Sequence, residues 1–186
     1  PAVATTDDFT IDAASTLLAG KMVYVVAAGR SLVYAKGYTN SANNGIHELN
    51  ADVAGTDTAV QVGTTLVAET PSTNASLQVC GIRVGDGDLT LTVSGSTATL
   101  VSAADIADWS VLGLLPGQYI RVGSPDSSGV LQNALGTAAG AADDTFGFAR
   151  ITSISSATLN LDKLDTNLIG TADNTGDGDV DVLFGR

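Results

Sequence analysis

Cysteine, histidine, methionine and tryptophan occur once each in this sequence, and aromatic residues make up only 5% of it. A lone Cys80 excludes an intrachain disulfide and any CxxC metal site. It lies in the apolar run "SLQVCGIRV", where a free thiol reads as a buried strand residue rather than a reactive group. One histidine, His47, and one distant cysteine cannot supply the ligands of a zinc site. No GxSxG nucleophile motif accompanies His47, so a hydrolytic triad is not assembled, and "GIHELN" reads it as a solvent-facing strand residue. Basic residues are scarce too: 8 Lys and Arg against 20 Asp and Glu give a net charge of −12. Lys21, Arg30, Lys36, Arg83, Arg121, Arg150, Lys163 and Arg186 are scattered, so no basic groove for nucleic acid is visible and the average surface repels phosphate backbones. No apolar run reaches the length of a transmembrane helix, and the opening "PAVATTDDFT" has no signal-peptide pattern.

What is abundant is glycine, 21 residues, with Thr, Ser, Val, Leu and Ala, while charged residues reach only 15%. That mixture suits short strands and many turns and disfavours a helical bundle. "LLAGKMVYVV" (17–26) aligns with "LLPGQYIRVG" (114–123): two Leu, a Gly-containing turn, then an alternating strand. Turn-rich stretches follow at 27–45 and 123–147. "GIHELNA" (45–51) then matches "GFARITS" (147–153), "TAVQVGTTL" (58–66) matches "ATLNLDKL" (157–164), and "SLQVCGIRV" (76–84) matches "DVDVLFGR" (179–186). The expectation is an all-β chain of tandem duplicated small β-barrel or sandwich units with at most one short helix: 1–98 the first, 99–186 its duplicate, with about 15–84 superposing on 112–186. "GDGDLTLTVSGSTATLVSA" (85–103) reads as a hairpin turning at Ser94-Gly95-Ser96. The one helical candidate is 103–109, capped by Ser102 or Asp105, with Ile106 and Trp109 on one face.

The sharpest motif is "DNTGDGDVD" (173–181). Asp173, Asp177 and Asp179 stand at positions one, five and seven of a calcium loop, and Gly178 holds the turn. Position three is Thr175, position twelve is Phe184 instead of a bidentate Glu, and the flanks read as strand, so the stretch is read as a metal-free acidic turn. "GDGDLTL" (85–91) is a turn by the same logic, without the helix N-terminus that phosphate binding uses. Asn74-Ala75-Ser76 is a formal glycosylation sequon. No catalytic, cofactor-binding or metal residue is assigned, and the protein is read as a non-enzyme built for assembly or binding.

"GYTNSANNGIHELNA" (37–51), "LVAETPSTNASLQVCGIRV" (66–84), "LGLLPGQYIRVG" (112–123), "GFARITSISSATLNLDKL" (147–164) and the terminal "VDVLFGR" (180–186) resemble, in order and spacing, the tail tube (major tail) proteins of long-tailed bacteriophages. The likeness covers nearly the whole chain. It implies a structural virion protein, made in the bacterial cytoplasm, whose copies stack as rings, usually hexameric, with other tail proteins into a tube that delivers DNA. It implies no cofactor, specific nucleic-acid site or membrane contact, and an acidic lumen would let DNA slide. Family members run longer at both ends and often have Trp where Tyr119 stands. The chain is therefore read as a segment of a longer polypeptide, an insert exposed on the tube and by itself monomeric or weakly associated. The alternative is an adhesin-type β module binding glycan or calcium through 123–145 and 170–179.

Overall fold

A computed structural model describes residues 2–3, 8–10, 25–26, 29–50, 59–69, 75–125, 131–132, 135–136, 145–174 and 178–184. The protein is all-β, and the chain separates into two compact units, Pro1–Val25 with Arg30–Cys80, and Val26–Gly29 with Gly81–Arg186. The change of unit falls at Cys80/Gly81, whereas the sequence reading placed it at 98/99.

The first seven strands are β1 (Ala2–Val3), β2 (Asp8–Thr10), β3 (Val25–Val26), β4 (Gly29–Lys36), β5 (Gly45–Glu48), β6 (Ala59–Gln61) and β7 (Ser76–Val84). In the first unit β7 neighbours β4, and β4 pairs antiparallel with β5. The bridge Leu49↔Val62 then carries the chain after β5 to the end of β6. Strand β6 also pairs with β2, and β2 with β1. Phe9, Val33, Ala35, Tyr38, Leu49, Val62, Leu66 and Leu77 form the core. The period of two that puts Val33 and Ala35 inward sends Tyr34 and Lys36 out.

The second unit adds β8 (Leu89–Ser94), β9 (Thr97–Ser102), β10 (Tyr119–Val122), β11 (Ser124–Pro125), β12 (Leu131–Gln132), β13 (Gly147–Ser155), β14 (Thr158–Asp162), β15 (Thr171–Asp173) and β16 (Val180–Phe184). Its sheet order is β15-β8-β9-β14-β13-β10-β16-β7, an open path among the described residues. Rows of facing residues build the core: Leu91, Leu100 and Leu159 in one, Ala98, Leu161 and Ile151 in the next, Ala149, Ile120 and Phe184 beyond, then Val122, Val182 and Ile82. All twelve are 5% exposed or less. Each fully buried aliphatic side chain contributes about 1.5–3 kcal/mol, so these rows carry the unit. The hairpin β8–β9 turns at Ser94–Thr97 as its sequence suggested.

Two expectations are corrected. Residues 103–108 form bends without an α-helix, and the helical element is a short 3₁₀ turn, Trp109–Leu112, capped by Asp108 Oδ1 accepting from Ser110 N at 2.9 Å. The α-helix fails because side chains capture its donors: Ile106 N goes to Ser102 Oγ at 2.7 Å, and Ala104 N and Asp105 N go to Asp88 Oδ1. Second, the stretch 27–45, read as turn-rich, contains β4, the longest strand ending before β7. Of the matched stretch 17–26, only Val25–Val26 lies within the described residues.

With β4 in place of that stretch, the two units share one arrangement. The order β6-β5-β4-β7 in the first parallels β14-β13-β10-β16 in the second. Both contain a strand opening on a positive-φ glycine, Gly45 (φ 122°) and Gly147 (φ 142°). Those glycines face Ala35 and Val122, and the next residues, Ile46 and Phe148, face Tyr34 and Arg121. Leu49 N donates to Ser31 O at 2.9 Å, and at the matching place Ile151 N donates to Gln118 O at 2.8 Å. Leu49 faces Val62 as Ile151 faces Leu161.

Candidate functional site

Asn174, which is fully buried, ties the acidic turn at 85–88 to the chain around Gly178. Its Oδ1 accepts from Leu89 N at 2.8 Å, and its Nδ2 donates to Gly85 O at 2.6 Å and Gly178 O at 3.2 Å. Beside it, Gly85 N donates to Asp105 Oδ2 at 2.7 Å and Ser102 Oγ donates to Asp88 Oδ2. Asp88, Ser102 and Asp105 are all buried. Each carboxylate here accepts hydrogen bonds from its own chain, as a structural plug requires. Asp173 and Asp179 are exposed, while Phe184, at the last calcium-ligand position, is 5% exposed on β16. Thr175, Asp177 and Asn74 lie outside the described residues. Among the described residues no group of three or more His, Cys, Asp or Glu could hold a metal ion.

In the first unit, asparagine amides stand in for strand residues. Asn43, fully buried, accepts from Val67 N at 2.8 Å and donates to Val67 O at 2.7 Å. Asn44 does the same with Tyr38 N and O, at 3.0 and 2.9 Å. Glu69 adds bonds from Asn40 N at 3.0 Å and Asn43 Nδ2 at 3.2 Å. The "GYTNSANNG" stretch is thus a locked structural loop. Cys80 is half-buried, with its Sγ 3.5 Å from Leu32 O.

His47 is not solvent-facing; it is 4% exposed. Leu49 points into the core, and a period of two carries His47 in with it while Ile46 goes out. The imidazole meets the Phe9 ring edge-on at 5.3 Å, its Nδ1 lies 3.3 Å from Thr64 Oγ1, and its Nε2 has no hydrogen-bond partner among the described residues. Burial pushes its pKa below the usual value, against a smaller opposing effect of a backbone hydrogen bond at Asn43. Tyr38, tilted against the same Phe9 ring at 5.3 Å, has an unpartnered hydroxyl. Burial, then the Glu69 charge, pushes its pKa to about 12.

The outward faces differ from these locked interiors. On β10 and β13, Tyr119 faces Arg150 and Arg121 faces Phe148. Tyr119 and Phe148 are 53% and 51% exposed. The Arg121 guanidinium sits 5.6 Å from the Phe148 ring centroid. Arg150 is held by Asp162 through bonds of 2.8 and 2.6 Å, whose hydrogen bonding lowers the Asp162 pKa and raises that of Arg150. Further around the sheet, Arg83 binds Asp181 bidentately at 2.7 and 3.1 Å, with Asp181 1% exposed. A groove of about 400 Å³ on β8, β9 and β14 is lined by hydroxyls and amide: Thr92, Ser94, Thr97, Thr99 and Asn160. No family model, no curated protein and no solved structure matches the chain. No helix among the described residues is long and apolar enough to cross a membrane.

Proposed function

We propose that the chain is a structural virion protein, part of a tail tube (major tail) subunit that builds or decorates a stacked-ring phage tail. The observation that carries this reading is where the resembling blocks fall. "GIHELNA" opens β5, "SLQVCGIRV" is β7, "LLPGQYIRVG" leads into β10, "GFARITSISSATLNLDKL" spans β13–β14 and "VDVLFGR" contains β16. These are the strands of the arrangement shared by the two units, and the reading takes that arrangement as the product of a duplication. Polar side chains in both units are spent on holding turns, which suits a scaffold whose work is done by its faces. Open-ended stacking follows when a head-to-tail interface does not close on itself.

Electron microscopy of the purified full-length protein tests the reading. Rings and tubes are the expected result. A protein that remains monomeric at high concentration and binds calcium or glycan would replace it with the adhesin-type alternative.

A further inference from the structure

The matching register of the two units exposes one position twice. In the second unit it is the cross-strand pair Arg121↔Phe148, with Tyr119 alongside; in the first it is Tyr34↔Ile46. Tyr34 and Ile46 are 43% and 42% exposed. Large apolar side chains left half-uncovered at the same place in both units form two faces of similar geometry.

Their charges differ. Where the second unit has Arg150 on β13, the first has Glu48 on β5, each the third residue after its positive-φ glycine. Among the described residues Arg121 meets an aromatic ring and no carboxylate, in a chain whose net charge is −12. Stacking the second unit's face on its own kind brings Arg121 against Arg121. Lys36, exposed two residues beyond Tyr34, shares the first unit's face with Glu48, so that face is neutral overall and its pairing with itself meets no net repulsion. Crossed pairing sets Tyr34, Ile46 and the Glu48 carboxylate against Arg121 and Phe148, which offers cation–π, apolar and ionic complements together.

We propose that the Tyr34–Ile46 face of one copy docks on the Arg121–Phe148 face of a second copy. The interface is heterologous, small and weak. It rests on the assembly reading above and names the surfaces that would carry it.

A mixing experiment separates this from other modes of association. Ile46→Asp and Phe148→Asp each spoil one face at an exposed position, and circular dichroism checks that both fold. In sedimentation velocity the wild-type chain is expected to associate with rising concentration, each variant alone to lose at least tenfold in affinity, and their mixture to regain a dimer through the two intact faces. Arg121→Glu should weaken wild-type association similarly, and added salt should weaken it further. Variants that associate like wild type would overturn the proposal while leaving assembly itself intact. A mixture that stays monomeric would overturn crossed pairing. A wild-type chain monomeric at millimolar concentration would overturn it too, with microscopy of the full-length protein deciding the assembly reading separately.

Discussion

Asn174 is the position where one substitution should do most damage to the second unit. Asn174→Ala removes the acceptor of Leu89 N and the donor of Gly85 O and Gly178 O. The Leu89 donor lies in a buried bond and takes the full penalty of an unsatisfied group, about 1–3 kcal/mol. Gly85 and Gly178 are half-buried, so water reaches their carbonyls, and losing each bond costs about 0.5–1.5 kcal/mol. The sum is about 2–6 kcal/mol, a large part of the roughly 5–15 kcal/mol that holds a native protein together. Urea denaturation reads it directly, because Trp109, the one tryptophan, is fully buried in this unit. A fall in melting temperature on the order of 10 °C should accompany it. Asn174→Asp is the discriminating variant. It keeps the acceptor but turns a carboxylate toward two carbonyls, so it should be worse at pH 7 than near pH 4, where the protonated acid can donate again. A loss below about 1 kcal/mol for Asn174→Ala, with no pH difference for Asn174→Asp, would refute the view that this amide ties Gly85, Leu89 and Gly178 together.

The first unit should be sensitive to acid. His47 titrates lower when folded than its ordinary pKa of about 6.5, so its contribution is intact above that value and is lost as the pH falls toward the folded one; melting followed from pH 8 to 5 should show this slope, and His47→Phe should flatten it. Tyr38 behaves oppositely at the alkaline end: its folded pKa of about 12 lies above the ordinary 10, so its contribution holds below pH 10 and is lost between those values, as tyrosinate absorbance would report. Gly45→Ala and Gly147→Ala share backbone strain of about 1–3 kcal/mol. Gly147→Ala should be the more damaging in chemical denaturation, because its new Cβ would lie 2.6 Å from Asp165 Cβ whereas that at Gly45 meets open space. Millimolar calcium should leave the melting temperature unchanged; a stabilisation reversed by chelator would show that the loop after Asp173 binds metal after all.

Alternation made β5, β7, β10, β13, β14 and β16 legible in the sequence, because each presents one apolar face to a core. It hid β4, whose Ser31, Leu32 and Val33 are buried consecutively, so that the period of two begins only at Val33. It also misdirected His47: hydrophobicity alone would turn Ile46 inward, but Leu49 fixes the opposite phase. The outer faces were hardest to see, since Arg121 and Phe148 meet only through strand register. Asn174 was invisible for a different reason. An asparagine in a glycine-rich turn looks like turn chemistry, and its partners Gly85 and Leu89 lie 89 and 85 positions away.

The place of β16 in the sheet governs the order in which the molecule is made. It is the last of the described strands, yet it lies between β10 and β7. Its ion pair with Arg83 spans 98 positions. At about 5–20 residues per second, a ribosome that has finished β7 needs roughly 5–20 s more to deliver β16. Throughout that wait β7 and β10 each lack the neighbour that will satisfy one edge, and unpaired edges are what nascent β proteins aggregate through. This strand is therefore a keystone: until it arrives, β10 and β7 are left unjoined at the edges it fills, and synthesis rate becomes a determinant of yield.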